Sequence, residues 1–329
     1  MTPSTALVLG GTQFVGRHLV QSLLDAGWAV TLFSRGRTNP DLFPGVARLI
    51  GDRQSDVTAL AGGRWDVVFD VSAYHPDDIT RVADAIQDGC GHYVLVSSVS
   101  AYADVSRPGA TEDASLAVID GPVPTEYDKQ YYGELKALCE EVVTDRFPVS
   151  TMIRPTVVDG PFDTTERLTS WVDRLAAPGP HLVPPDTTTP FQYIDARDLA
   201  DFMVRVAGEG VTGAFTVAAR PTTFQQVLDG IAEVVGPVRT FALTQAELEE
   251  EGVQPWVDLP LWLPAGTPDR AGFFALDPGR ALAAGLHTRP LSDTIRDTHA
   301  WSAARDGSGP RIGISLEREA DLAARYGRG

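Results

Sequence analysis

The stretch Ala6-Leu7-Val8-Leu9-Gly10-Gly11-Thr12-Gln13-Phe14-Val15-Gly16 decides the fold. Its four consecutive apolar residues are typical of a strand that is buried on both faces of a parallel sheet. An amphipathic helical pattern follows and ends at Gly27. A glycine-rich turn between a strand and a helix lets backbone N–H groups approach a pyrophosphate. We therefore predict a dinucleotide site at this turn, formed by Gly10, Gly11, Thr12, Gln13, Phe14, Val15 and Gly16.

The alternation of strand and helix continues along the chain. Apolar runs predict further strands, and helical patterns separate several of them. This order is typical of an α/β fold, a Rossmann-type doubly wound parallel sheet. The predicted strands are 29–33, 47–50, 67–71, 93–96 and 150–154, and the predicted helices are 76–88 and 128–147.

Proline and glycine become frequent beyond residue 160, and regular elements become shorter. We therefore predict a cofactor-binding domain at 1–160, a smaller C-terminal α/β substrate lobe at 161–301, and a surface tail at 302–329 that contains a short helical pattern. Whether helix 196–207 and nearby strands pack back on the first domain stays open.

Composition excludes several classes of protein. The 329 residues include 27 Lys and Arg against 44 Asp and Glu, a net charge of −17. Such a field repels phosphate backbones and anionic lipid, so we expect neither a nucleic-acid nor a membrane partner. Cys90 and Cys139, both expected in buried helices, form no CxxC motif, so no metal site is predicted. No apolar run reaches the roughly 18 residues of a membrane span, and we expect a cytoplasmic protein.

The end of the second predicted strand indicates which dinucleotide binds. A carboxylate there would accept a hydrogen bond from the ribose 2′-hydroxyl of NAD, but this chain has Ser34, Arg35 and Arg37. A hydroxyl and two guanidinium groups suit a 2′-phosphate, so NADP(H) is favoured over NAD(H). For the adenosine we predict contacts from Asp52, which could accept from the adenine amine, and from Arg53 and Ala73.

Three further residues form a candidate catalytic set. Ser98 follows the strand at 93–96, and Tyr132 and Lys136 are four residues apart on a predicted helix, so they share a face. A nearby ammonium should lower the pKa of the phenol from about 10 and make it a proton donor or acceptor for a carbonyl or alcohol. Lys129 and Lys136 are the only lysines of the chain.

These motifs together resemble the extended branch of the short-chain dehydrogenases/reductases, the NAD-dependent epimerase/dehydratase family. The resemblance also includes Arg154-Pro155-Thr156 and Gly160-Pro161. It implies that Ser98, Tyr132 and Lys136 are the catalytic triad, and that the segment with Pro155, Val157 and Val158 lines the nicotinamide.

Two positions depart from the usual family pattern. Gln13 replaces the second glycine, as in a GGTxFxG subgroup that includes chloroplast stem-loop-binding proteins, and its side chain must point away from the pyrophosphate. Val99-Ser100 replace the Asp-Glu pair of the sugar-nucleotide dehydratases, so a 4,6-dehydratase is not expected.

Several functions remain open at this point. The leading hypothesis is an NADP(H)-dependent oxidoreductase acting on a small-molecule or sugar-nucleotide-like substrate. A sugar-nucleotide epimerase would use the same residues, and a non-catalytic NADP(H) sensor or an RNA-binding protein are further alternatives. A homodimer through helices 76–88 and 128–147 is a further hypothesis.

A few conspicuous polar residues have a structural interpretation. We expect His75 at a helix entry or on the surface, although it could also face the substrate, and we expect Asp195 and Asp198 to cap and hold the helix at 196–207.

Overall fold

A seven-stranded parallel sheet forms the centre of the computed structural model, which describes residues 4–305 and 309–327. The strand order is β11-β6-β5-β4-β1-β2-β3, and every neighbouring pair is parallel. The sheet therefore has the predicted doubly wound topology. Its strands are β1 (Thr5–Leu9), β2 (Ala29–Ser34), β3 (Ala47–Ile50), β4 (Trp65–Asp70), β5 (Cys90–Val96), β6 (Ser150–Pro155) and β11 (Gly213–Val217).

Helices cover both faces of this sheet. Because strand side chains alternate, Ala6 and Val8 face one layer, and Leu7 and Leu9 face the other. The first layer contains α1 (Phe14–Asp25) and α5 (Ala196–Gly208), which pack on each other; the second contains α2 (Pro76–Ile86) and α3 (Tyr132–Arg146). The predicted helix at 128–147 starts later than expected, since a short 3-10 turn, Lys129–Tyr131, precedes α3.

The second half of the chain forms a separate apolar core, but part of it returns to the sheet. Both α5 and the edge strand β11 lie beyond residue 160 and belong to the Rossmann-type unit. The other elements are β7 (Val157–Asp159), α4 (Arg167–Ala176), β8 (Pro180–Val183), β9 (Pro190–Phe191), β10 (Tyr193–Asp195), β12 (Thr222–Thr223), α6 (Phe224–Val235), β13 (Arg239–Ala242), α7 (Gln245–Glu250), α8 (Gly279–Ala283), α9 (Leu291–Ala303) and α10 (Leu316–Arg325). The exact domain limits stay a prediction.

One face of the helix near the end of the chain is buried, so the prediction of a surface tail is wrong for this face. Glu319 and Leu322 of α10 are fully buried against the lobe. The Glu319 carboxylate pairs with the buried Arg174 guanidinium and accepts hydrogen bonds from the Leu182 N–H at 2.7 Å and from His181 Nδ1 at 3.1 Å. Residues 306–308 and 328–329 of the predicted tail lie outside the described part of the chain.

Two smaller observations complete the fold. Cys90 begins strand β5, so its predicted helical position is wrong; Cys139 lies in α3 as expected and is buried. None of the helices within the described ranges is long and apolar enough to cross a membrane.

Candidate functional site

A cleft of about 680 Å³ opens at the carboxyl ends of β1 to β4. In parallel α/β sheets this edge is where ligands bind. Most of the predicted cofactor residues line the cleft, namely Gly10, Thr12, Gln13, Phe14, Val15, Gly16, Ser34, Arg35, Arg37, Asp52 and Arg53. Gly11 packs under the turn, where an added Cβ would lie 2.5 Å from Leu32 Cδ2.

The turn from β1 to α1 is possible only with glycine at its ends. Gly10 has a φ of +92°, a backbone conformation that L side chains rarely adopt. A Cβ on Gly16 would lie 1.9 Å from the Gly10 carbonyl oxygen, so a side chain there would force the strand and the helix apart. Gln13 is exposed with an extended backbone at the start of α1, so the chain accommodates a side chain at this position.

The loop after β2 places two arginine side chains, Arg35 and Arg37, at the cleft. Arg35 and Arg37 are exposed, line the cleft and form no ion pair with a residue in the described ranges. Asn39 Nδ2 donates to the Thr12 carbonyl at 2.8 Å, which fastens this loop to the glycine turn. The site can therefore receive a further phosphate next to the dinucleotide turn.

Arg53 also lines the cleft, but its charge is already paired. Its guanidinium makes two hydrogen bonds to the Asp70 carboxylate, at 2.6 and 2.7 Å, and one to Ser72 Oγ at 2.9 Å. Although burial alone would raise the pKa of Asp70, Arg53 and the Tyr93 hydroxyl hold it below its ordinary value. Asp70 therefore neutralises the charge of Arg53, whereas Arg35 and Arg37 are available to bind an anion.

The structure brings Ser98 and Tyr132 together. Ser98 begins a 3-10 turn, Val99–Ala101, and its Oγ accepts a hydrogen bond from the Ser100 N–H at 3.0 Å. The first turn of α3 lies directly against this segment, because Gly133 has no side chain: a Cβ there would lie 2.1 Å from the Ser100 carbonyl oxygen. Burial raises the pKa of Tyr132, while its hydrogen bond with Ser98 and the Arg167 guanidinium lower it.

Lys136 lies one turn further along α3 and is buried. Its Nζ donates to the Ala73 carbonyl at 2.7 Å and to the Val96 carbonyl at 2.9 Å. The ammonium lies 5.9 Å from the Tyr132 ring centroid. Since the pKa of Tyr132 is raised rather than lowered, the expectation that Lys136 brings this phenol towards neutral pH is wrong for this geometry.

The predicted catalytic residues lie beside the cleft rather than along its lining. Tyr74 and Tyr127 line the end of the cleft, and the Tyr74 ring lies 6.4 Å from the Tyr132 ring. The side chain of Ala73 is buried in the core, and only its carbonyl serves the site, through Lys136. The predicted nicotinamide residues lie at the end of β6 and in β7, outside the lining of the cleft: Pro155, Val157 and Val158.

Sequence reasoning missed two ionisable residues, Arg167, which acts electrostatically on Tyr132, and Asp159, which Arg167 also affects. Arg167, the first residue of α4, is partly buried, donates through Nε to Thr165 Oγ1 at 3.0 Å, and makes no ion pair with any residue that the structure describes. Asp159 is fully buried at the end of β7, and neither of its oxygens makes a well-formed hydrogen bond. Burial raises its pKa to about 8. No local sequence signal distinguishes either residue from an ordinary surface charge.

The residues expected to have structural roles have them. His75 is the N-cap of α2, accepts from the Asp77 N–H at 3.2 Å and contacts the Pro124 carbonyl through Nε2 at 2.9 Å. Asp195 caps α5, and Asp198 accepts a hydrogen bond from Arg289 Nε at 2.7 Å.

Comparisons with known proteins agree with this fold. The model of the NAD dependent epimerase/dehydratase family matches residues 6–218. The chloroplast stem-loop binding protein of 41 kDa b from Arabidopsis thaliana is 26% identical over 220 residues, which cover 61% of this chain and 54% of that protein. The chain thus matches about half the length of this curated relative.

Two solved structures share the architecture. A UDP-glucose 4-epimerase superposes with a TM-score of 0.70 at 15% identity, covering 92% of this chain and 99% of that one. The UDP-glucuronic acid 4-epimerase from Bacillus cereus in complex with NAD superposes with a TM-score of 0.64 at 14% identity, covering 90% of this chain and 98% of that one. At such identities the likeness concerns the fold.

Proposed function

This chain belongs to the NAD-dependent epimerase/dehydratase family, and we propose that it is an NADP(H)-dependent enzyme that oxidises or reduces a carbonyl/alcohol carbon of a small-molecule substrate. The observation that carries the proposal is the pairing of Ser98 with Tyr132 beside the buried Lys136, at the end of a cleft that begins at a glycine turn. When bound, the nicotinamide supplies or accepts the hydride.

The cleft fits a dinucleotide with a 2′-phosphate. The glycine turn lines the cleft through Gly10 and Gly16, so the N-terminus of α1 lies beside the space that a pyrophosphate would occupy. In the same cleft, Arg35 and Arg37 are exposed and form no ion pair with a described residue. Guanidinium groups bind phosphate through charge-assisted hydrogen bonds, so these two residues would hold the 2′-phosphate.

The chain's own residues move and hold a proton. Ser98 orients the substrate oxygen, and the Tyr132 hydroxyl exchanges a proton with it. The Tyr132 hydroxyl can protonate the oxygen of a carbonyl that is being reduced, or accept the proton of an alcohol that is being oxidised. Lys136 would donate a hydrogen bond from its remaining N–H to a ribose hydroxyl of the cofactor.

A sugar-nucleotide epimerase is the second candidate, favoured by the fold shared with the two UDP-sugar epimerases. An epimerase would use the same serine and tyrosine while the cofactor stays bound between two opposite hydride transfers. Arg167, half-buried, unpaired and acting electrostatically on Tyr132, is then a suitable partner for an anionic group of the substrate.

The decisive experiment compares Tyr132→Phe with Tyr131→Phe. We expect Tyr132→Phe to bind NADPH normally and to lose at least about 10²-fold in turnover, the usual effect of removing a positioned acid or base. The matched control Tyr131→Phe should keep its activity. The measurement is NADPH absorbance with a panel of carbonyl compounds, together with chromatography of UDP-sugars, which detects epimerisation without net cofactor turnover. Normal turnover in Tyr132→Phe would overturn the proposed role of Tyr132, whereas NADPH binding without turnover of any substrate in the unmodified protein would favour the cofactor sensor.

Cofactor choice has its own test. Replacing Arg35 and Arg37 by Ala should weaken NADPH binding by about 1.5–3 kcal/mol for each lost charge-assisted contact, and should leave NADH binding nearly unchanged. Arg296→Ala, an exposed arginine on α9, is the matched control. Calorimetric titration measures both cofactors, and equal affinities for NADPH and NADH in the unmodified protein would contradict the assignment.

Three further expectations remain proposals: a cytoplasmic location, a homodimer, and no nucleic-acid partner. The chloroplast relative is named for binding a stem-loop. This chain's net charge of −17 argues against the same role, because an acidic surface repels the phosphate backbone of RNA.

A further inference from the structure

The ammonium of Lys136 has an aromatic neighbour besides Tyr132, and that neighbour is closer. Lys136 Nζ lies 4.6 Å from the Tyr74 ring centroid, against 5.9 Å for Tyr132. Lys136 is 3% exposed and makes no ion pair with a carboxylate in the ranges that the structure describes. Two backbone carbonyls and the face of Tyr74 therefore surround this buried charge.

Tyr74 is held in place although its ring reaches the cleft. Its backbone N–H points at an Asp78 carboxylate oxygen at 3.4 Å, in the first turn of α2. Its ring meets the Tyr127 ring edge-on with centroids 5.5 Å apart. The side chain remains 44% exposed and lines the cleft. Packing thus fixes the ring between the buried ammonium and the space where a ligand binds.

We propose that Tyr74 is a positioning residue for Lys136: its ring holds the buried ammonium through a cation–π contact and so keeps it charged beside the cleft. The inference rests on the proposed function in one respect, since the charge of Lys136 has a role in catalysis only if the protein is the proposed enzyme. The contact itself does not require turnover, and it can be tested without a substrate.

The energetics follow from burial. A lysine taken out of water favours its neutral form, and burial lowers the pKa of Lys136. A cation–π contact contributes about 0.5–1 kcal/mol at exposed sites and about 2 kcal/mol when desolvated. Titratable and charged groups from three parts of the fold surround the ammonium. Asp70 ends β4 and Tyr74 follows that strand, and Arg53 follows β3. Tyr132 and Cys139 lie on α3, the helix that carries Lys136 itself.

The composition of the chain permits a direct test. Because Lys129 and Lys136 are the only lysines, protein labelled with carbon-13 at lysine Cε gives two NMR signals, and the exposed Lys129 is an internal reference. Titration of both signals with pH, in the full-length protein without ligand, reports the pKa of each lysine. The Lys136 methylene protons should also show an upfield ring-current shift relative to Lys129.

Two substitutions separate the ring from the hydroxyl. In Tyr74→Leu we expect the pKa of Lys136 to fall by about 0.4–1.5 units and the ring-current shift to disappear. Tyr74→Phe keeps the ring, so it should preserve both values. Lys129 should not change in either variant. In the NADPH-binding profile, the alkaline loss of affinity should move to lower pH in Tyr74→Leu by the same amount as the pKa.

Three other results are informative, and each contradicts either the cation–π contact or the proposed function. An unshifted Lys136 signal in the unmodified protein overturns the contact, even if Tyr74→Leu fails to fold. Equal effects of Tyr74→Phe and Tyr74→Leu would assign the role to the hydroxyl and overturn the cation–π proposal. If the NMR results are as expected but Lys136→Arg leaves NADPH binding and turnover intact, the contact stands and the proposed function fails.

Discussion

Replacing Asp159 by Asn is predicted to stabilise the protein, and to do so more strongly as the pH rises. Asp159 is fully buried without a well-formed hydrogen bond. Burial raises its pKa to about 8, and the neighbouring carboxyls of Asp163 and Asp195 add to this effect. The Arg167 guanidinium acts in the opposite direction but does not offset burial. The folded chain therefore holds this carboxyl in its neutral form at pH 7.

The size of the effect follows from proton linkage. The pKa is higher in the folded chain than in the unfolded chain, where it is near the ordinary 3.8, so only the folded chain keeps the proton between these values. Below about pH 4 Asp159 is protonated in both the folded and the unfolded chain, and it does not lower the free energy of unfolding. Between about pH 4 and about pH 8 the free energy of unfolding falls by about 1.4 kcal/mol per pH unit. At pH 7 the cost is on the order of 4 kcal/mol. Asn has nearly the same shape and does not ionise, so the free energy of unfolding of the Asp159→Asn variant does not fall in this way.

Urea unfolding at about pH 5.5, 7 and 8.5 measures the difference. The stability gained by Asp159→Asn should grow by about 2 kcal/mol between about pH 5.5 and pH 7. Asp41→Asn, at an exposed position, is the control and should show a constant small difference. A gain for Asp159→Asn that stays the same across this range would refute the assignment of a neutral buried carboxyl.

Two packing predictions concern other parts of the fold. Gly133→Ala should cost about 1–3 kcal/mol and lower the thermal midpoint, because its Cβ would lie 2.1 Å from the Ser100 carbonyl and push α3 away, whereas Gly45→Ala, in open space, should change little. Glu319→Gln should lower the free energy of unfolding in urea by about 3–5 kcal/mol, because it leaves the buried Arg174 guanidinium unpaired, and an unchanged midpoint would contradict this.

The Rossmann-type half of the fold could be predicted because its information is local. A continuous apolar run, a glycine turn and a helical pattern are each visible within a few residues, and β1 and α1 form where these patterns predict them. The short strands β7 to β10 and β12 were not predicted. They have two to four residues each and are defined by partners distant in sequence, such as β13 for β8. The burial of α10 likewise depends on Arg174, far from Glu319 in sequence.

The site shows the same division between local and tertiary information. Spacing on a helix is local, so Tyr132 and Lys136 could be paired from the sequence. Which aromatic ring lies closest to the ammonium is not local information, since Tyr74 reaches it from the loop after β4. The raised pKa of Tyr132 also follows from burial that only the packed structure supplies. Gly133 appears in the sequence as an ordinary helix residue until Ser100 is placed against it.

Charge is distributed in this molecule so that the cleft differs from the rest of the surface. A net charge of −17 repels an anionic cofactor at long range, so binding must depend on cations that act at contact distance. Two arginines cannot serve, because they are already paired, Arg53 with Asp70 and Arg154 with Glu140. Arg35 and Arg37 are unpaired among the described residues and line the cleft. An acidic protein that leaves these two guanidinium groups without a carboxylate keeps them available for an anion, which under the proposed function would be the 2′-phosphate of the cofactor.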